Sequence, residues 1–286
     1  MRIACIGEAM IELSLAGETP KVGVAGDTLN TAIYLYRSAP DVQVDFVTCL
    51  GEDSFSQRIS DFISSQGVGV AAIRRINGAS PGLYAITTTD VGERSFTYWR
   101  NASAARQLFS DHDFSALAVY DAVYLSGISM AILPHAVRTA LIEWLGSSPV
   151  KVIYDSNYRP RLWEGQAHAQ QITTAMWQRA NVALPSIDDE MALFDETAEQ
   201  VERRFAAHLG QGALKRGEEG PMSLGSQVVQ TYAPAGSVVD TTAAGDSFNG
   251  GYLGALMTGK SQSEALMAGH RLAAKVVQHR GAIMPE

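Results

Sequence analysis

Apolar and polar positions along the chain fall into two alternating kinds of segment. Short and nearly uninterrupted apolar runs (RIACIG from Arg2, VQVDFVTCLG from Val42, DAVYLSG from Asp121, VKVIYD from Val150 and NVALP from Asn181) read as strands buried on both faces. Longer stretches with apolar residues at helical spacing follow each of them. That alternation predicts a parallel sheet with helices packed on both sides. After Ala25-Gly26-Asp27, the segment TLNTAIYLYRS reads as the first helix, with Asp27 as its N-cap.

Two regions break the rhythm. Residues 10–24 and 82–100 carry strand-like patterns around turn signals, the second resembling a hairpin about Asp90-Val91-Gly92. Extra strands of this kind can form a lid over the end of a parallel sheet. With no internal repeat, low-complexity tract or obvious linker, residues 1–286 read as a single domain carrying these two lid segments.

Composition narrows the partners. The chain is 46% apolar and has a formal charge of −8, with 22 Lys and Arg scattered among 30 acidic residues, so nothing marks a nucleic-acid or anionic-membrane surface. A small-molecule partner fits better. Both cysteines, Cys5 and Cys49, sit in apolar runs, as expected of core thiols in a reducing cytoplasm. Glu8 and Glu12 interrupt the apolar start before a signal-peptide core forms, and no later stretch reaches membrane-spanning length. The six histidines lack zinc-ligand spacing.

Two motif matches fail on context. Gly254 to Ser261 fits the phosphate-loop expression G-x4-G-K-S, but that loop must follow a strand and open a helix. Here Phe248, Tyr252 and Leu256 place a helix before it, Gly259 ends that helix, and Ser261 with Glu264 forms a capping box for the next. Gly78 to Gly82 fits the hydrolase elbow G-x-S-x-G, yet Pro81 lacks the amide that would donate to an oxyanion.

The informative stretch is Val238-Val239-Asp240-Thr241-Thr242-Ala243-Ala244-Gly245-Asp246-Ser247-Phe248. A short apolar strand end runs through small residues into an amphipathic helix, whose first amides form an anion site. Asp246 at its edge could accept a proton from a hydroxyl while the amides of Ala244 and Gly245 stabilise phosphoryl charge, and the helix dipole would keep it ionised. It could equally be a helix cap.

This stretch resembles the D-T-x-G-A-G-D signature of the ribokinase-like carbohydrate kinases, the family named after phosphofructokinase B. Ala243 stands where glycine is usual, as in its 2-keto-3-deoxygluconate kinase branch. The resemblance extends over nearly the whole chain and implies a ribokinase-like three-layer α/β/α sandwich, with a mostly parallel central sheet and a small β-sheet lid. Gly26, Asp27 and Asn30 are similar to the family's G-G-D-x-x-N substrate loop. Tyr84, Tyr98 and Arg100 resemble the groups that hold a sugar acid, Tyr98 and Arg100 sharing a strand face by their spacing.

In Asp155 to Trp163, similar to D-x-N-x-R-x-x-L-W, the resemblance implies Arg159 for a substrate carboxylate or phosphate and Asn157 for nucleotide phosphate. Asp189, with Glu190 as a substitute, takes the acidic place of N-x-x-E that organises magnesium through water. Lys215, Gly217 and Gly220 resemble the K-x-G-x-x-G nucleotide loop, with Ala243, Ala244 and Gly245 at the phosphates. The helix ending in His279-Arg280-Gly281-Ala282 resembles the segment closing over adenine.

The implied reaction is transfer of the γ-phosphoryl of ATP, accompanied by Mg2+, to 2-keto-3-deoxygluconate, with Asp246 as base. A fructokinase, ribokinase or nucleoside kinase on the same scaffold is the alternative, and a non-catalytic sugar sensor is a different class. Exposed lid strands invite edge-to-edge pairing into a homo-oligomer.

Overall fold

In the computed structural model, which describes residues 1–15, 19–88, 94–208 and 210–285, the apolar runs become strands, all but the end of the second lying in one central sheet. The strands in chain order are β1 (Arg2–Ile6), β2 (Met10–Ser14), β3 (Lys21–Ala25), β4 (Gln43–Val47), β5 (Cys49–Leu50), β6 (Arg74–Arg75) and β7 (Gly82–Thr88). Then come β8 (Arg94–Trp99), β9 (Ala122–Ser126), β10 (Lys151–Asp155), β11 (Val182–Leu184), β12 (Gln211–Leu214) and β13 (Met222–Leu224). The helices are α1 (Asp27–Ser38), α2 (Ser54–Ser65), α3 (Gly127–Ile132), α4 (His135–Ser147) and α5 (Gln166–Arg179). They continue with α6 (Ile187–Phe194), α7 (Ala198–Ala206), α8 (Ala244–Met257) and α9 (Gln262–Val276).

The central sheet has the order β13-β12-β11-β10-β9-β1-β4, parallel throughout except for the antiparallel β12–β13 edge pair. Because side chains alternate across a strand, its apolar runs feed two separate cores. Ile3, Cys5, Tyr124 and Ile153 pack with α1, α2, α8 and α9. Ala4, Ile6, Val123, Leu125 and Tyr154 pack with α3, α4, α5 and α7 on the opposite face. The result is the expected three-layer α/β/α architecture with a small separate sheet.

That separate sheet has the order β3-β2-β7-β8 and comes from the two regions whose patterning broke the helical rhythm. β2 pairs antiparallel with β3 and parallel with β7, and β7 pairs antiparallel with β8 from Leu83↔Trp99 onward. The turn expected at Asp90-Val91-Gly92 lies outside the described residues.

The structure departs from the sequence reading in three local places. The run Val42 to Gly51 is not one strand: it divides at Thr48, and β5 pairs with β6 in a two-stranded sheet of its own. Asp27 is the first residue of α1 rather than its N-cap; Gly26 holds the cap position without a side-chain cap bond. Glycine is needed there because a Cβ would stand 2.2 Å from the Glu8 carbonyl oxygen. Third, Val238 and Val239 form no strand and are 59% and 52% exposed, the Val239 amide donating to the Val277 carbonyl just past α9 at 2.8 Å.

Both rejected motifs have the expected structure. Gly259 takes φ +80° after α8, and Ser261 and Glu264 form the reciprocal capping box of α9. Ser80 bridges to Ser103 just before β7, so the Gly78 to Gly82 segment is an ordinary turn into a strand. Cys5 and Cys49 are free and buried, and among the described residues no helix is long and apolar enough to cross a membrane.

Candidate active site

In open α/β sheets ligands bind beyond the carboxyl ends of the parallel strands. There, between the central sheet and the lid, lies a cavity of about 1540 Å³. Its wall brings together Gly26, Asp27, Asn30, Tyr84, Tyr98, Arg100, Asn157, Arg159, Asp189, Lys215, Gly217, Ala243, Ala244, Gly245 and Asp246. Gly220 is absent from it: Tyr232 would stand 2.3 Å from a Cβ there, so its φ of +80° serves a buried turn.

The start of α8 forms one end of the cavity. Ala243 is its N-cap and adopts the left-handed conformation, φ 60° and ψ 18°, that the usual glycine would take without strain. The Ala244 amide donates to the Thr241 carbonyl at 3.2 Å, and the first helical bond runs from Ser247 to Ala243 at 2.8 Å. Among the described residues this leaves the amides of Gly245 and Asp246, rather than that of Ala244, without a backbone acceptor. Ala243→Gly should relieve the strain and, after glycine's larger unfolded-state entropy is subtracted, stabilise the protein by about 0.5 kcal/mol. A urea midpoint that rises at constant m would show this; a lower midpoint would refute it.

Asp246 accepts from Asn30 Nδ2 at 2.8 Å, across 216 residues of sequence. Burial raises its pKa to about 8, reinforced by Asp27 and Asp155 and only partly opposed by Asn30 and Lys215. The expectation that the helix dipole keeps Asp246 ionised is therefore corrected: two neighbouring carboxylates and desolvation outweigh the half-charge of a helix end.

Asp27 turns across the cavity floor to accept from Ser126 Oγ and from Asn157 Nδ2, the latter at 2.7 Å. Burial pushes its pKa up, against the pull of the Ser126 hydroxyl. One N–H of the Asn157 amide is thus committed to the Asp27 carboxylate, while the residue itself borders the cavity. Asn157 itself is buried with φ 24°, a conformation asparagine tolerates better than most residues.

On the lid, the Tyr84 hydroxyl donates to Glu12 on the adjacent strand, so Tyr84 offers the cavity its ring more than its hydroxyl. That ring stacks on Tyr98 with centroids 5.5 Å apart, and Phe96 continues the aromatic wall 6.4 Å beyond. Tyr98 and Arg100 do reach the same cavity, as the strand period required. Arg100 nevertheless has a partner that the sequence reading did not assign: its Nη2 donates to Glu8, and the two side chains are only 7% and 1% exposed.

Arg159 donates to Asp189 Oδ1 at 3.2 Å, and Ser156 donates to the other Asp189 oxygen at 3.2 Å. Burial and the nearby Asp155 raise the Asp189 pKa, while Arg159 lowers it. Glu190 does not substitute for Asp189. One residue further around α6, it turns into the core, accepts from Trp177 at 3.2 Å and pairs with Arg204 at 2.9 Å. The expected C-terminal helix also ends early: α9 stops at Val276, and the Gly281 amide donates to Asp240 at 2.8 Å while Ala282 borders the cavity.

The sequence reading gave Glu8, Tyr124 and Asn249 no role, yet all three are buried against site residues. A signal existed for two of them. Glu8 follows the carboxyl end of β1, and Asn249 lies three residues after Asp246, on the same helix face. Tyr124 sits inside an apolar strand and carries no local sign of its partners.

The profile of the pfkB family carbohydrate kinases matches residues 1–286. The 2-dehydro-3-deoxygluconokinase of Escherichia coli K12 is 41% identical over 300 aligned residues, spanning 99% of this chain and 97% of that protein. The crystal structure of a PfkB protein from Polaromonas sp. JS666 aligns with a TM-score of 0.82 at 25% identity, over 97% of this chain and 95% of that one. That of aminoimidazole riboside kinase from Salmonella enterica, complexed with aminoimidazole riboside and an ATP analog, aligns with a TM-score of 0.81 at 20% identity, over 98% and 94%.

Proposed function

The chain belongs to the pfkB family of carbohydrate kinases, and on that premise we propose that it transfers the γ-phosphoryl group of ATP to the terminal hydroxyl of 2-keto-3-deoxygluconate (2-dehydro-3-deoxygluconate). One observation carries the phosphoryl-transfer part: the Asp246 carboxylate stands at the first turn of α8, beside two uncommitted amides, and opens on the cavity. The product is 2-keto-3-deoxy-6-phosphogluconate.

In its ionised form Asp246 accepts the hydroxyl proton, with Asn30 fixing the carboxylate's orientation. Because the transition state is loose, the carboxylate mainly orients the hydroxyl and takes the proton late. The amides of Gly245 and Asp246 face the phosphoryl oxygens, and the small Ala243 and Ala244 let them approach. Gly26, Asp27 and Asn30 hold the middle of the sugar acid against the Tyr84 and Tyr98 rings, with Asn157 steadying Asp27. Arg100 and Arg159 meet its carboxylate, a match to the bidentate geometry of guanidinium. Lys215 and Gly217 lie on the nucleotide side.

Among the described residues no group of three His, Cys, Asp or Glu side chains could hold a metal by itself. The donor set fits a magnesium ion carried largely by the nucleotide's own phosphates, with Asp189 contributing through water. When bound, that ion neutralises charge on the phosphate oxygens. Use of ATP and two buried free thiols both suit a cytoplasmic setting. The open edges of β3 and β8 offer a second copy a ladder to pair with.

A coupled assay comparing 2-keto-3-deoxygluconate with fructose and ribose tests the reading. We expect kcat/KM for the sugar acid to exceed that for either neutral sugar by at least about 100-fold, since a site built for a charged group rejects an analogue lacking it. A preference for fructose or ribose would overturn the substrate, as would no turnover with any of the three, which would leave a nucleoside kinase or a sugar-binding sensor.

A further inference from the structure

We propose that Asp155 is a positioning residue for phosphoryl transfer: with Asn249 and Tyr124 it holds the Lys215 ammonium beside the start of α8, where that cation meets the migrating phosphoryl group. The proposal rests on the kinase reading above.

Lys215 directly follows β12, at the carboxyl edge of the sheet. Its Nζ donates to Asp155 Oδ1 at 2.7 Å and to Asn249 Oδ1 at 3.3 Å. An ammonium has three donors, so two are committed and one remains. The side chain is 12% exposed, and that opening is onto the cavity. A Cβ built on Gly245 would stand 3.8 Å from Nζ, which puts the ammonium next to the uncommitted first-turn amides of α8. Amides and ammonium thus present donors to one small volume.

Asp155 is itself held from two further sides. Asn249 Nδ2 donates to its Oδ2 at 2.8 Å and the Tyr124 hydroxyl donates to the same oxygen at 3.2 Å. Asn249 Nδ2 also reaches the Tyr124 oxygen at 3.0 Å, and Thr31 Oγ1 donates to that oxygen at 3.2 Å. The network ties α1, β9, β10 and α8 to a single lysine. Such a buried pair is a poor device for stability, because desolvation cancels most of the attraction. As a device for position it is effective: a lysine stem carries about 2 kcal/mol of rotamer entropy, and fixing it before substrate arrives spares that cost during the reaction. The same anchor explains why the cation pairs with Asp155 and leaves the neighbouring Asp246 carboxylate to Asn30.

Steady-state kinetics of wild type, Asp155→Asn, Lys215→Met and the double variant test the coupling. Each single substitution is expected to lower kcat about 100-fold, with the sugar-acid KM within about threefold of wild type. The double variant should be no more than about threefold below the poorer single, since both remove one unit. A double loss equal to the product of the singles, about 10⁴-fold, would make the groups independent and overturn the proposal, as would an unchanged kcat in Asp155→Asn. Tyr124→Phe guards against misfolding: it removes one hydroxyl from Asp155, and kcat should fall about three- to tenfold at unchanged KM. No change in kcat for that variant likewise overturns the proposal. An inactive wild type would instead fell the kinase reading, and the proposal with it.

Discussion

Replacing Asp246 by asparagine is expected to lower kcat by about 10³-fold, within the range for losing a general base, and at the same time to make the protein more stable. The amides of Gly245 and Asp246 survive the change, so residual turnover should remain measurable. The pH profile follows from the same carboxyl. With the pKa of Asp246 raised to about 8 by burial and by Asp27 and Asp155, kcat/KM of the wild type should climb about tenfold per pH unit below that value and flatten above it.

Stability runs the other way. The folded state favours protonated Asp246, whereas the unfolded chain releases the proton near 3.8, the ordinary value for an aspartate. Between that value and about 8 the folded state binds more protons, so stability falls as pH rises through the window. Asparagine removes this penalty, and the gain should grow across the window to several kcal/mol at its upper end, read as a rise in Tm that is larger at high pH than at low pH. Melting curves at pH 5 and pH 8 decide the matter; a variant no more stable than wild type at pH 8 would mean that Asp246 is not a strained acid.

Arg100→Ala should produce the second large effect, on two observables with different causes. Loss of the guanidinium is expected to lower kcat/KM for the sugar acid by about 10²- to 10³-fold, the scale of a desolvated charge pair. It also strands Glu8, a carboxylate only 1% exposed, at a cost of about 3 kcal/mol in folding stability. Adding Glu8→Gln should recover much of the stability and none of the sugar-acid activity. Should Arg100→Ala keep its activity toward the sugar acid, carboxylate recognition belongs elsewhere; should the double variant be no more stable than the single, the Glu8 pairing carries no energetic weight.

Legibility followed the range of the interactions. The strand at Arg2 to Ile6, the helix opening near Asp27 and the break at Gly259 were readable because neighbours within a few residues set them. The apolar run from Val42 reads as one strand because its division at Thr48 depends on β6, whose residues lie 25 positions beyond their partners in β5. Arg100 was correctly brought to the cavity by its two-residue offset from Tyr98, yet its partner Glu8 lies 92 positions away and leaves no trace in local pattern. Gly220 carried the right residue type for a ligand loop, but its positive φ is used against Tyr232.

What the chain determined by itself is the alternation of doubly buried strands with amphipathic helices, the small residues leading into α8, and the residue types gathered around the cavity, since periodicity, capping and backbone freedom are all local. The tertiary structure alone decided their charges and partners: that Asp246 shares its surroundings with Asp27 and Asp155, that Lys215 is anchored, and that Arg100 is balanced by Glu8. The reason is physical. Coulomb interaction and desolvation depend on separation through space and on depth from water, and neither quantity is written along a sequence until the fold has closed around it.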